Sequence, residues 1–428
     1  MSAIHPDHML EATRLTREGK LTEASALLQR LFRGEAPASA KATASQDTAA
    51  SPAEPRPRLF DVDLETGEAA GATRPSEPSN RTAGRWPAGG MGTATVPQMP
   101  QMPEALRGFL EQINQGGLAQ GLGGRTHGAM PQTAEPPPDG AQFVTGSFTN
   151  QAGTRGYKLY IPSTYRGEPM PLVVMLHGCT QSPDDFAAGT RMNALAEEHG
   201  CLVAYPGQTQ AANAQKCWNW FSPGDQERDQ GEPALIAGIT RQVMRDHAVD
   251  ARRVYVAGLS AGGAAAAIMA QAYSDLYAAA GVHSGLACGA ARDMPSAFAA
   301  MRQGATPQPG RNPGRADGRA VVPTIVFHAD KDGTVHPRNG DQVIAQSAVA
   351  GLRTEVRRGQ VPGGHAYSRT VHVDAAGKPM LEQWVVHGGG HAWSGGSTAG
   401  TYTDPRGPDA SREMLRFFLE HPHGTPAA

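Results

Sequence analysis

Ser260 stands at the centre of Gly258-Leu259-Ser260-Ala261-Gly262, between the apolar run Val254-Tyr255-Val256-Ala257 and an alanine-rich stretch over 264–272. That order predicts a strand, a sharp turn and a helix, with the serine at the apex. Small residues two before and two after it let strand and helix approach while Oγ projects into a cleft. A hydroxyl held there can attack a carbonyl carbon. The free N–H groups at the start of the helix, including that of Ala261, can then hold the negative charge that develops on the carbonyl oxygen. In a chain with 52 glycines the pentapeptide also fits an ordinary helix start, so a nucleophile needs partners elsewhere.

Three further loops supply them. Pro171-Leu172-Val173-Val174-Met175-Leu176 reads as a buried strand and runs into His177-Gly178-Cys179-Thr180-Gln181, the place where a second oxyanion donor belongs. An amide near Cys179 is the candidate, with Gly178 letting the backbone approach the carbonyl. His177 is read as a hydrogen-bonded residue that shapes the loop, not as a base. Downstream, the β-branched run over 321–328 leads to Ala329-Asp330-Lys331-Asp332-Gly333-Thr334-Val335. Asp332 is favoured as the acid, because Gly333 and Thr334 make a turn that can aim it inward; Asp330 suits binding loop amides. A last strand over 381–387 opens into Gly388-Gly389-Gly390-His391-Ala392-Trp393. His391, in the glycine-rich loop, is favoured as the base over the strand-end His387. The order Ser260, Asp332, His391 is that of α/β-hydrolases. His391 would take the serine proton during attack and return it to the leaving alkoxide, while Asp332 fixes the imidazole tautomer and offsets its charge.

The chain resembles the polyhydroxybutyrate depolymerase family of esterases, whose relatives include feruloyl and acetylxylan esterases. The resemblance spans roughly residues 141 to 420. It is carried by His177-Gly178-Cys179-Thr180-Gln181, Cys217-Trp218-Asn219-Trp220-Phe221, Gly258-Leu259-Ser260-Ala261-Gly262-Gly263, Asp332-Gly333-Thr334-Val335-His336-Pro337-Arg338-Asn339-Gly340 and Gly390-His391-Ala392-Trp393. It implies an α/β-hydrolase fold, hydrolysis of short-chain esters, and an oxyanion segment ahead of the serine motif. The substrates it suggests are a polyhydroxyalkanoate or its oligomers, with feruloyl or acetylxylan esters as the alternative. A non-catalytic scaffold that binds a granule or a partner is a further alternative, and the three loops argue against it. Independently of the family, Trp218, Trp220, Phe221 and Trp393 gather aromatic surface near the proposed chemistry. They would wall an acyl or polyester chain or, on the plainer reading, pack beneath the loops. Residues 223–231 would form a polar rim.

The elements that must position these groups alternate. Tyr157-Lys158-Leu159-Tyr160-Ile161 reads as an early edge strand, and 201–205 and 278–283 as internal strands. Helical patterns lie near 191–199, 234–247 and 410–419, and 371–374 with 381–387 form a hairpin that delivers His391. The sum is a mostly parallel sheet with helices on both faces over 141–428, whose site opens at the carboxyl ends of the strands.

Ahead of it, residues 35–140 hold 14 of the 34 prolines and no sustained apolar period, so they read as a disordered linker. A short helical pattern at 103–113 interrupts it. Residues 1–34 read as one helical hairpin, which pairs with a protein partner, a granule surface or the catalytic domain, or else frays as an amphipathic leader. No signal-peptide core follows Met1, so the cytoplasm is the favoured compartment, with the extracellular space of many family members as the alternative. No transmembrane run is present, and a formal charge of −2 offers no basic field for nucleic acid. Without a Cys-x-x-Cys or His-Glu-x-x-His pattern, no metal and no cofactor is expected. Cys179 and Cys217, both in family-like loops, would bridge in an oxidising compartment; in a reducing cytosol all four cysteines would stay free.

Overall fold

Ten strands form one sheet in the computed structural model, which describes residues 137–306 and 321–424. The expected hairpin at 1–34, the pattern at 103–113 and nearly all of the linker lie outside these residues. The strands are β1 (Gln142–Asn150), β2 (Gly153–Ile161), β3 (Met170–Leu176), β4 (Leu202–Pro206), β5 (Val249–Leu259), β6 (Ala279–His283), β7 (Thr324–Ala329), β8 (Arg353–Gln360), β9 (Ala366–Val373) and β10 (Pro379–His387). Their spatial order is β1-β2-β4-β3-β5-β6-β7-β10-β9-β8. The six strands from β4 to β10 run parallel, and antiparallel pairs flank them at each end.

Continuous apolar sequence explains why the parallel strands sit in the middle, since such strands are covered on both faces. Along β3, Leu172, Val174 and Leu176 face one core while Val173 and Met175 face the other. The first core is closed by α3 (Gly231–Asp246), α4 (Ala261–Ala272) and α5 (Met294–Gln303), and the second by α1 (Pro183–Thr190), α2 (Met192–His199) and α7 (Ala410–Leu419). A smaller cluster lies under α6 (Arg338–Ser347). Almost every residue of α4 is buried, and its alanines and glycines allow that close approach.

Two expectations are corrected. The early strand at 157–161 is internal: β1, whose alternation is too polar to stand out, pairs outside it along its whole length. On the far side β8, nearly all exposed, extends the expected hairpin by one more strand. Within the ladder, the carboxyl ends of β3, β5, β7 and β10 all open on one edge of the sheet, which is where each of the four chemical loops begins.

Candidate active site

The turn after β5 holds Ser260 at φ 57° and ψ −119°, a backbone conformation that costs energy and persists only where surroundings enforce it. They do so through glycines. A Cβ on Gly262 would overlap the carbonyl oxygens of Leu176 and His177, and one on Gly258 would overlap Gly262 O. The Ser260 amide is tied to His283 O at 2.9 Å, and Ser260 O accepts the Ala264 amide at 2.9 Å, so the turn passes directly into α4. Ala261 is the first residue of that helix.

Opposite it, the β3 loop is fixed from several sides. Gly178 N donates to Gln181 Oε1 at 2.9 Å, and Gln181 Nε2 donates to Asp185 Oδ2 at 2.8 Å. A Cβ on Gly178 would lie 3.6 Å from Ser260 Cβ, so this loop runs directly past the serine. Among the described residues, the Cys179 and Ala261 amides have no protein acceptor. His177 is buried and shapes the loop, as expected of it: its Nδ1 bonds Gly178 O at 2.7 Å.

Asp332 and His391 meet across two loops. His391 Nδ1 donates to Asp332 Oδ2 at 2.7 Å, while Asp332 Oδ1 accepts the Thr334 and Val335 amides at 2.9 and 2.8 Å. His328 Nε2, which bonds Val335 O, lies 3.4 Å from the same Oδ2. Burial would raise the Asp332 carboxyl, but the His391 charge and the hydrogen bonds from His328 and His391 outweigh it and hold the group far below the usual carboxylate range. With Nδ1 committed to Asp332, the lone pair of His391 sits on Nε2. Asp330 makes a separate, more exposed pair with His387, at 3.0 Å, and accepts the Gly388 amide at 2.7 Å. That pair clips the two loops together without entering the cleft.

Ser260, Ala261, Cys179 and His391 line one cleft. Trp220 and Phe221 form part of its wall, edge to face at 5.8 Å. Trp218 and Trp393 do not. Both are buried: the Trp218 indole N–H donates to His177 O at 3.1 Å, and that of Trp393 donates to Ser411 Oγ at 3.0 Å. Trp393 also stacks on His283, whose Nε2 accepts the Ser394 amide and so braces the loop after His391. The two tryptophans hold the loops from below, because an indole has one polar atom and both find its partner inside.

Residues 223–231 are not a rim of the cleft either, since Arg228 pairs with Asp275 at 2.6 Å and Asp229 N donates to Tyr273 OH. The missing wall comes from α5, through Met294, Ala297, Phe298 and Met301. Its signal is in the sequence: an Asp293 cap, Pro295 in the first turn, and apolar residues at i, i+3, i+4 and i+7.

Cys179 and Cys217 form a disulfide, while Cys201 and Cys288 remain thiols. The bridge spans a separation of 38 residues, which by chain entropy stabilises the fold by up to about 4 kcal/mol. Cys217→Ser is therefore expected to lower Tm by several degrees and to slow ester turnover, because Cys179 carries the candidate donor. Reductant should do the same to the wild type in differential scanning fluorimetry and initial-rate assays; an unchanged Tm and rate would mean that the bridge is dispensable.

The family model described as Esterase PHB depolymerase matches residues 155–356. Among curated proteins, poly(3-hydroxyalkanoate) depolymerase C of Paucimonas lemoignei is 34% identical over 271 residues, covering 61% of this chain and 62% of that protein. Feruloyl esterase B of Neurospora crassa is 27% identical over 292 residues, covering 65% of this chain and 91% of that protein. The solved acetyl xylan esterase from Aspergillus awamori aligns with a TM-score of 0.50 at 22% identity, over 65% of this chain and 99% of that one, and shows that the fold is an α/β-hydrolase. The chain thus spans less than two thirds of the length of depolymerase C.

Proposed function

The chain carries a domain of the PHB depolymerase esterase family, and on that premise we infer that it is a serine esterase cleaving hydroxyalkanoate esters through Ser260, His391 and Asp332. One observation carries the reading: Ser260, at a strained strand-to-helix apex, shares its cleft with His391, whose other nitrogen is held by a buried carboxylate. Ser260 Oγ attacks the ester carbonyl, and His391 Nε2 takes its proton. The amides of Ala261 and Cys179 hold the oxyanion. When the tetrahedral intermediate collapses, the imidazolium protonates the departing alkoxide and leaves an acyl-serine. Water, deprotonated by the same imidazole, then releases the acid.

The cleft supports an aliphatic ester as substrate. Met294, Ala297, Met301, Leu286 and Val335 offer aliphatic apolar surface, and the polar groups Asn213, Gln215 and Tyr402 lie on the same lining. A second reading, feruloyl or acetylxylan ester hydrolysis, is favoured by the Trp220 and Phe221 wall and by the extent of the match to feruloyl esterase B. A panel of amorphous polyhydroxybutyrate, hydroxybutyrate oligomers, methyl ferulate and acetylated xylan separates them. Oligomers and amorphous polymer are expected to be cleaved fastest; faster release of ferulate or acetate would favour the second reading.

Trp220→Ala should raise KM for oligomers about tenfold, the equivalent of roughly 1.4 kcal/mol of lost apolar contact, and change that for p-nitrophenyl acetate much less. Equal losses on both substrates would mean that Trp220 supports the fold and does not touch the chain. The Cys179–Cys217 bridge supports an oxidising compartment, against the cytoplasmic expectation. Among the described residues no helix is long and apolar enough to cross a membrane. A granule or protein partner for residues 1–34 is tested by deleting 1–140, which should leave soluble-ester turnover intact and abolish granule association.

A further inference from the structure

Glu232 does not line the cleft, yet it anchors the loops that do. It is the second residue of α3 and 5% exposed. Three N–H donors converge on its two oxygens: Asn219 N on Oε2 at 2.7 Å, Asn219 Nδ2 on Oε1 at 2.8 Å, and Gln208 Nε2 on Oε1. The charged groups that face it are Arg155, whose Nη2 is 3.8 Å from Oε1, and Asp225, which accepts the Glu232 amide at 2.8 Å. Burial first, then the Asp225 charge, push its carboxyl up to about 7, against the pull of Asn219, Gln208 and Arg155. A buried carboxylate is costly to desolvate, and here the three hydrogen-bond donors that compensate it belong to, or lead to, the wall of the cleft.

Two connections run from it to the β3 loop. Gln208 Nε2 also donates to Cys217 O at 3.0 Å, and the Gln208 amide donates to His177 Nε2 at 3.1 Å. His177 Nε2 is therefore unprotonated, and its Nδ1–H donates to Gly178 O. Burial lowers the His177 pKa to about 4, so the ring stays neutral in this arrangement near pH 7. The second connection passes through Asn219 to its neighbours Trp218, bonded to His177 O, and Cys217, bonded to Cys179 through sulfur. The carbonyl of Gly178, which shares its peptide unit with the Cys179 amide, and that of His177 just before it are thus both held by groups that trace back to Glu232.

We propose that Glu232 is a positioning residue for the oxyanion-holding amide of Cys179, fixing loop 177–179 against Ser260 through Asn219 and through Gln208 and His177. This rests on the esterase reading above. Glu232→Gln keeps the shape but sets an amide N–H against N–H donors, so at least one of the three bonds is lost. Since a misplacement of about 1 Å can cost about a hundredfold, kcat is expected to fall about 10- to 100-fold, with KM changed less than about threefold.

Turnover is measured per active site, counted by stoichiometric organophosphonate titration, so that a misfolded fraction does not enter. Beside it, Ki is measured for a short alkylboronic acid, which forms a tetrahedral adduct on the serine and samples the oxyanion amides. The expected result is a Ki that rises by about the same factor as kcat/KM falls. Gln208→Met, which keeps the backbone donor to His177 and removes Nε2 together with Oε1, the acceptor of the Thr209 amide, should give a smaller loss with the same proportionality, and it carries the test if Glu232→Gln does not fold. Wild-type kcat per site in both variants, or a fall in kcat with an unmoved boronate Ki, would overturn the proposal. A wild type that neither hydrolyses esters nor titrates with phosphonate would overturn the esterase reading itself.

Discussion

Ser260→Ala is expected to lower ester turnover by up to about a millionfold, the loss seen when a triad serine is removed from an otherwise intact site. The size of the effect follows from the two steps that run through one oxygen: without Oγ there is neither attack nor acyl-enzyme, and water must react unaided. On the proposed mechanism, what remains is the stabilisation that the Ala261 and Cys179 amides would still give to an oxyanion, about a thousandfold over the uncatalysed reaction. Tm should barely move. Alanine meets the same left-handed backbone at φ 57° that serine does, and the Ser260 amide keeps its bond to His283 O. Hydrolysis of p-nitrophenyl butyrate by purified protein, with organophosphonate labelling followed by mass spectrometry, checks the catalytic role, and a thermal melt checks the fold. A variant that retains a tenth of wild-type turnover, or still takes up the label in stoichiometric amount, would remove Ser260 from the mechanism.

The parallel strands and the four loops were legible because each rule that shaped them acts locally. Gly258 and Gly262 are where a Cβ would strike Leu176 O, His177 O or Gly262 O, so the elbow is written in the residues that form it. The choice of Asp332 over Asp330 also came from a local cue, the Gly333-Thr334 turn; Thr334 and Val335 donate their amides to Asp332 Oδ1. The aromatic wall was not local. Trp218, Trp220 and Phe221 lie within four residues of sequence, but Trp218 turns under the loop toward His177 O while the other two face the cleft, and nothing in the segment states which way each ring points. For Trp393 the partner is Ser411, in α7, and for the wall itself the contributor is α5, both distant in sequence. The edge strand was missed for the opposite reason: β1 has too little apolar alternation to read as a strand, and its pairing with β2 gives it its form.

Asp332→Asn should lower kcat/KM about ten-thousandfold, and Asp330→Asn less than about tenfold. The asymmetry comes from what each carboxylate holds. An asparagine in place of Asp332 could keep its one oxygen toward the Thr334 and Val335 amides, which leaves its NH2 facing His391 Nδ1. An N–H donor there selects the tautomer with the proton on Nε2, so the imidazole presents a donor to Ser260 where a lone pair is required. The variant also loses the negative charge that offsets the imidazolium formed during attack, at a site buried enough for that charge to count. Asp330, in contrast, is partly exposed and bonds Gly388 N and His387 Nδ1; an asparagine there can keep the amide bond, and the position of His391 should follow. Because Asp332 is held far below the usual carboxylate range, it stays ionised wherever the protein is active. Initial-rate measurements of kcat/KM on both variants decide the assignment: equal losses at 330 and 332 would mean that Asp332 does not orient the base.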